Sequence, residues 1–146
     1  MSSGKIIQII GTVVDVEFVS DELPKLFDAL EVDNGGENLV LEVQQHIGNN
    51  WVRCLALGTT DGLARGVEVT NTGDKVTVPV GEATLGRLFD VTGTPLDGLG
   101  PVEAEVSLPI HRDPPAFEDQ NTSVEVLETG IKVFDLITPF PKGGKV

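Results

Sequence analysis

Cysteine is almost absent from this chain of 146 residues, which contains only Cys54. A single cysteine cannot form an intrachain disulfide, so the fold must be held by its apolar core. One thiol and no export signal fit a reducing, cytoplasm-like compartment. Because Cys54 lies in an alternating strand pattern, we interpret it as a small buried hydrophobe. A nucleophilic role would require a nearby histidine and an orienting acid.

Basic residues are scarce as well. The chain has 10 lysines and arginines against 23 aspartates and glutamates, which gives a formal net charge of −13. Nucleic-acid binders draw most of their affinity from basic side chains that neutralise phosphates. The charge balance therefore argues against DNA or RNA as a partner and favours solubility.

Long apolar runs are also missing. No apolar run reaches the ~18 residues that a membrane span needs. The first residues do not form a basic region followed by an apolar one, the pattern of a signal peptide. We expect no direct membrane insertion and no signal or transit peptide.

What the sequence does contain is a series of short β-branched segments. From Lys5 to Val80 they alternate with glycine and asparagine turns, which predicts a small barrel or sandwich. A Gly-Thr break at residues 11–12 predicts two strands or one bent strand. The Asn34-Gly35 pair predicts a tight hairpin turn with positive φ angles. Pro79 predicts an edge of the sheet or an exit from it.

The pattern changes beyond residue 80, where prolines and glycines divide the chain into short extended pieces. A helical pattern then begins, with Thr129 as its predicted N-cap and Pro139 as its stop. The last residues predict a turn followed by a new strand beginning at Lys145 and Val146. A natural domain rarely stops on the first residues of a strand, so we expect the second region to be incomplete.

Motifs for phosphate or metal binding are not found. A phosphate loop requires G-x-x-x-x-G-K-[S/T], and Gly144-Lys145 lacks both the earlier glycine and the following hydroxyl residue. Transition-metal sites need clustered histidines and cysteines, whereas His46, His111 and Cys54 are isolated in sequence.

The remaining polar candidates have simple structural interpretations. His111 beside Arg112 could contact an anion, but a solvated loop is the preferred interpretation. Asp15, Glu17 and Glu42 lie among apolar strand residues, and outward-facing barrel positions explain them better than an acid/base pair. The residues themselves therefore predict no catalytic, cofactor-binding or metal-binding site.

Several stretches nevertheless resemble the sequence motifs of a known family. The most informative are Gly4–Gly11, Leu41–His46, Arg53–Gly58, Leu85–Arg87, Leu127–Leu136 and Lys142–Val146. Together they resemble the β subunit of the F-type ATP synthases, the rotary enzymes that couple proton flow to ATP synthesis. The stretches Leu85–Arg87 and Gly93–Gly98 resemble the family's junction into the nucleotide-binding domain. The related α subunit and the vacuolar, archaeal and flagellar-export ATPases share this junction but differ from the final Lys-Gly-Gly-Lys-Val.

The resemblance implies a mainly β chain with two parts. Residues 1–80 would form a small six-stranded N-terminal β-barrel, the crown domain. Residues 81–146 would be the truncated start of an α/β, RecA-like nucleotide-binding domain. The phosphate loop and the other catalytic groups would follow Val146, so the resemblance assigns no catalytic, cofactor-binding or metal residue to this chain.

The resemblance also implies partners and a location for the parent subunit. The barrel would alternate with α-subunit barrels in a hexameric ring around the central-stalk γ subunit. The full-length parent would bind ATP or ADP with Mg²⁺ at the cytoplasmic face of an energy-transducing membrane, as a peripheral protein. The fragment alone is expected to be inactive, and no cofactor is expected in it.

Two interpretations from other classes remain open. The chain could be a stable assembly module that acts only through subunit contacts. It could instead be a barrel that binds one small ligand, as barrels of this size can. Large aliphatic residues at the inward positions favour a filled interior over a ligand cavity.

Overall fold

The first half of the chain is a closed antiparallel barrel in the computed structural model, which describes residues 2–19, 23–120 and 123–145. Its strands are β1 (Ser3–Ile10), β2 (Val13–Phe18), β3 (Asp28–Asn34), β4 (Glu37–Gly48), β5 (Trp51–Ala56) and β6 (Glu68–Lys75). Around the barrel they follow the order β1-β2-β5-β4-β3-β6, and β6 closes it by pairing with β1. The predicted mainly β fold with a six-stranded barrel is confirmed.

The barrel interior is filled by the inward halves of the alternating strands. Alternation places successive side chains on opposite faces, so each strand supplies between one and three residues to the interior. The packed core consists of Ile6, Val14, Val16, Phe18, Leu30, Val32, Leu39, Leu41, Val43, Val52, Cys54, Ala56 and Val69. Aliphatic side chains meet from all six strands, which excludes water from the centre of the barrel.

Two tight turns connect β4, the longest strand, to its neighbours in sequence. β3 and β4 are joined by Gly35 and Gly36, with φ angles of 71° and 99°. Asn49 and Asn50, with φ of 53° and 61°, join β4 to β5. Positive φ at both central residues matches the right-handed twist of the paired strands. The first turn was predicted at Asn34-Gly35 and lies one residue later, because Asn34 still pairs with Glu37.

The break at residues 11–12 separates two strands, since β1 and β2 pair as an antiparallel hairpin. After β6 the chain forms a separate two-stranded sheet, β7 (Thr77–Val80) with β8 (Val106–Pro109). Pro79 lies in β7, in agreement with the predicted edge position. A 3-10 turn at Glu82–Thr84 and an isolated bridge between Phe89 and Pro95 lie between these strands.

The last part of the chain contains a 3-10 turn (Phe117–Asp119), β9 (Val126–Leu127), the helix α1 (Lys132–Ile137) and β10 (Phe140–Pro141). Phe134 of the helix stacks on Phe140 at a ring distance of 5.6 Å. The helix exposes most of its apolar side chains, including Leu136 at 85%. This part therefore lacks an apolar core among its described residues.

Two details of this region differ from the sequence-based expectation. Thr129 is not the N-cap, because the helix begins at Lys132 after Ile131. The Thr129 hydroxyl instead donates a hydrogen bond to the Asp135 carboxylate, 2.6 Å away. That bond is the main reason why the pKa of Asp135 lies below its ordinary value. Lys145 is not part of a strand, and Val146 lies outside the described residues.

The structure divides into two compact units, Met1–Arg112 and Asp113–Val146. The first unit contains the barrel and the β7–β8 sheet, and the second contains β9, α1 and β10. The division of the chain into domains at residue 80 stays a prediction.

Candidate functional site

The barrel interior offers no reactive group. Cys54 is 1% exposed, as its strand position predicted. Burial first, and the nearby Asp15 carboxylate second, raise the pKa of its thiol to about 12. A thiol that stays protonated at neutral pH is a poor nucleophile and a poor metal ligand. Cys54 therefore acts as a packing residue.

The outer face of the barrel has an uncovered apolar row. Ile10 of β1 pairs with Val13 of β2, and Val13 pairs with Leu55 of β5. Directly paired residues share one face of a sheet, so these three side chains form a continuous line across three strands. Ile10 is 56% exposed and Leu55 is 38% exposed. We call Ile10, Val13 and Leu55 the apolar row.

An ion pair borders this row on the same strands. Arg53 of β5 donates to both carboxylate oxygens of Asp15 on β2, at 2.8 and 2.9 Å. Hydrogen bonding and charge attraction from Asp15 raise the pKa of Arg53. The bidentate geometry fixes the guanidinium relative to Asp15, and the two opposite charges compensate each other. The middle of this face is consequently polar but carries no net charge.

The outward-facing position expected for Asp15, Glu17 and Glu42 agrees with the structure, but only Glu17 is exposed to solvent. Glu17 is exposed and accepts a hydrogen bond from the Trp51 indole N–H at 3.1 Å. Asp15 is only 2% exposed and Glu42 only 4%. Both project from the outer face, yet each is covered by a partner that is distant in sequence.

Glu42 is covered by His111, which the sequence placed in a solvated loop. His111 Nε2 lies 2.5 Å from Glu42 Oε1. Its ring also packs against Phe27, with ring centroids 4.3 Å apart. His111 does lie in an exposed loop, as expected, but its side chain has partners on the barrel that the sequence did not predict. Arg112, its proposed companion in anion binding, is exposed.

The other histidine also has a structural partner. His46 Nε2 lies 2.7 Å from the carbonyl oxygen of Pro24. Among the residues that the structure describes, no three histidine, cysteine or carboxylate side chains form a group that could hold a metal ion. The two histidines and the cysteine are thus each engaged separately.

The two stretches that resemble a domain junction are joined by an ion pair. Arg87 donates to both carboxylate oxygens of Asp97, and also to the Gly100 carbonyl oxygen at 2.6 Å. The hydrogen bond from Arg87 is the main reason why the pKa of Asp97 is well below its ordinary value. This pair stabilises the 87–100 turn at neutral pH, and the stabilisation is lost as the pH falls through the lowered pKa.

An open groove of about 640 Å³ runs along β3 and β6. Its lining includes two lysines, Lys25 and Lys75, and three acids, Asp28, Glu31 and Asp74. The mixed charges do not converge on one point, and the groove is wide. It is open to solvent, unlike the enclosed cavity of a small-molecule site.

Sequence reasoning missed the partners of Asp15 and Glu42. Asp15 and Arg53 are 38 residues apart, and Glu42 and His111 are 69 residues apart. A signal for the first pair was present, since a carboxylate and a guanidinium each alternate with apolar residues in neighbouring strands. The second pair had no comparable signal, because His111 lies outside any regular element.

A closed six-stranded topology, a filled interior and an uncovered outer row define a small antiparallel β-barrel domain. Residues 6–73 match the model of the ATP synthase alpha/beta family, beta-barrel domain. The match coincides with the barrel and supports a subunit of the rotary ATPase family. The model describes both alpha and beta subunits, so the match does not distinguish between them.

Within the described part of the chain, no helix has the length and apolar character needed to cross a membrane.

Proposed function

We propose that this chain is the N-terminal part of the β subunit of an F-type ATP synthase. The observation that carries the proposal is the family match over the closed barrel. The choice of the β subunit rests on the resemblance of Leu127–Leu136 and of the final Lys-Gly-Gly-Lys-Val. In the parent enzyme these residues would precede the phosphate loop, and catalysis would use ATP or ADP with Mg²⁺ bound downstream.

The barrel's own role in this proposal is structural. It would alternate with α-subunit barrels in a hexameric ring, while the parent subunit contacts the central γ subunit through other regions. Such a ring would lie peripherally at the cytoplasmic face of an energy-transducing membrane. The apolar row supports a role in contacts between barrels, because its exposed aliphatic side chains gain free energy when a partner covers them.

A ligand-binding barrel is the second candidate, and the packed interior counts against it. Barrels that hold a small ligand keep an internal cavity with a few convergent polar groups. Here Leu30, Leu41 and Val43 are fully buried in the core, and the neighbouring interior positions are also aliphatic.

The chain alone should not bind Mg-ATP. Phosphate recognition depends on a glycine-rich loop whose N–H groups and lysine surround the phosphates, and the sequence has no such motif. Calorimetric titration of the 146-residue chain should give no saturable binding. A site tighter than about 10 μM, equivalent to roughly −7 kcal/mol, would contradict this expectation and favour the ligand-binding candidate.

Association with an α-subunit barrel tests the proposed function directly. The chain would be mixed with an isolated N-terminal barrel of an ATP synthase α subunit, and complex formation followed by analytical ultracentrifugation. We expect a mixed complex that persists at high salt, since burial of apolar surface is not screened by ions. Absence of association with the α barrel, under conditions where both are folded, would contradict the proposal.

Two matched variants then locate the contact. Ile10→Lys places a charge in the apolar row and should weaken the complex at least tenfold. Val19→Lys also introduces a lysine at an apolar residue, which is 87% exposed and lies just after the far end of β2, and it should leave affinity unchanged. Equal effects of the two variants would show that the contact does not involve the apolar row.

A further inference from the structure

The β7–β8 sheet needs an attachment to the barrel that is not strand pairing. All six barrel strands pair with barrel neighbours on both sides, so the closed barrel presents no free edge. β7 and β8 pair only with each other among the described residues. A two-stranded sheet is at best marginally stable in water by itself. Contacts other than strand pairing with the barrel therefore hold this sheet in the first unit.

His111 provides such a contact immediately after β8. The chain leaves β8 at Pro109, and the Ile110 N–H donates to the Val76 carbonyl oxygen at 3.0 Å. The next residue, His111, reaches Glu42 on β4 and stacks on Phe27, the residue before β3. One imidazole thus joins three segments that are far apart in sequence.

Both partners of His111 are fixed by the barrel. The Glu42 side chain is only 5% exposed, and its bond to His111 is the one side-chain hydrogen bond that it makes among the described residues. Phe27 has a φ of 69°, and its N–H donates to the Val43 carbonyl oxygen at 2.8 Å. A positive φ is uncommon for a bulky residue, so the surrounding structure must hold Phe27 in place.

Loss of the His111 contact would remove the one side-chain hydrogen bond that Glu42 makes among the described residues. Removing one partner of a buried hydrogen bond costs the desolvation of the group left behind, which is more than the bond itself contributes. The structure therefore favours the closed arrangement, and opening it requires water to reach Glu42. A solvated loop would have no such barrier to opening.

We propose that His111, with Phe27 and Glu42, forms an anchor that fixes the point where the chain leaves the first unit. Arg112 ends that unit and Asp113 begins the second, so the anchor lies one residue before the last residue of the first unit. Chain movement that starts in the second unit would stop at His111 and not reach the β7–β8 sheet. This inference does not depend on the proposed function.

Trypsin cleavage after Arg112 measures opening of the anchor in the full chain. The bond lies one residue beyond His111, so a protease can bind it only when the local backbone is free to move. Cleavage after Arg65, in an exposed turn of the barrel region, serves as the internal reference. We expect His111→Ala to accelerate cleavage after Arg112 about tenfold and to leave the Arg65 rate unchanged.

Three further variants separate the effect of the ring contact with Phe27 from the effect of the hydrogen bond to Glu42. His111→Phe keeps a ring against Phe27 but loses the bond to Glu42, so its rate should lie between those of the original chain and His111→Ala. Glu42→Gln should also accelerate cleavage, and the double variant with His111→Ala should be little faster than His111→Ala alone. His46→Ala removes the other histidine, which contacts Pro24, and should leave the Arg112 rate unchanged.

Two results would overturn the anchor. An unchanged Arg112 rate in a folded His111→Ala variant would show that the contact restrains nothing. Equal acceleration after Arg65 and Arg112 would show that His111 contributes only to global stability. Hydrogen exchange of the Ile110 amide provides an independent measurement, because His111→Ala should raise its exchange rate more than that of the core amides of β4.

Discussion

Replacement of Val43 by aspartate should unfold the barrel. Val43 lies on β4, is 0% exposed and belongs to the packed core. A buried, unpaired carboxylate costs several kcal/mol even after the structure relaxes, and the lost apolar burial adds about 1.5–3 kcal/mol. Domains of ordinary stability have only about 5–15 kcal/mol in total. Thermal unfolding followed by circular dichroism should show loss of the cooperative transition or a very large decrease in its midpoint.

The neighbouring residue supplies the matched control for Val43→Asp. Gln44 is exposed on the same strand, and Gln44→Asp introduces the same side chain on the opposite face. Its melting curve should remain close to that of the original chain. If Val43→Asp also melts normally, the side chain of residue 43 does not point into the core and the β4 register is wrong.

The pH dependence of Val43→Asp provides a second check. Burial disfavours the charged carboxylate, so the pKa of the introduced aspartate is raised in the folded state. A raised pKa in the folded state means that stability increases as the pH falls through that value. The stability difference between the variant and the original chain should therefore be smaller at pH 5 than at pH 7. A difference that grows on acidification would contradict burial of the new carboxylate.

Gly4→Ala should be the next most damaging change, although it adds a single methyl group. A Cβ at Gly4 would lie 2.8 Å from the Glu17 carbonyl oxygen and 2.8 Å from Val16 Cγ1. One of these atoms belongs to the backbone of the paired strand β2, so a rotamer change cannot relieve the contact. Overpacking of a core typically costs about 1–3 kcal/mol. Denaturant unfolding should show this loss as a lower midpoint with an unchanged slope.

A smaller effect on the unfolded chain partly offsets the destabilisation caused by the clash at Gly4. Alanine restricts the unfolded chain more than glycine does, which stabilises a protein by about 0.4–1 kcal/mol where the native backbone accepts it. The clash at Gly4 exceeds this gain, so we expect net destabilisation. Ser3→Ala, at an exposed position next to Gly4, should change stability little. A Gly4→Ala variant as stable as the original chain would mean that β1 and β2 are farther apart than described.

Local patterns in the sequence predicted most of the barrel. The alternation around Val43 identified both the strand and its buried face, because side-chain direction in a strand has a period of two. Glycine and asparagine located the tight turns to within one residue, because few other residues adopt positive φ. The helix near residue 134 was also predicted, while its N-cap was not, since Thr129 bonds to Asp135 instead.

The pairing of polar groups on the barrel surface was not predictable in the same way. Alternation places Asp15 and Glu42 on the outer face but says nothing about what covers that face. Whether a carboxylate there is solvated depends on the strand beside it or on a distant segment such as His111. The uncovered apolar row has the same origin, since it exists only because β1, β2 and β5 are neighbours.

The sequence alone determined that this chain forms short alternating strands with an apolar inward face. Its motifs also resembled those of the rotary ATPases, and the family match over residues 6–73 supports that resemblance. Those features are local, because each depends on residues within a few positions of one another. The tertiary structure decided the strand order, the burial of Asp15 and Glu42 and the attachment of His111. These depend on contacts between residues distant in sequence, whose register is set only when the barrel closes.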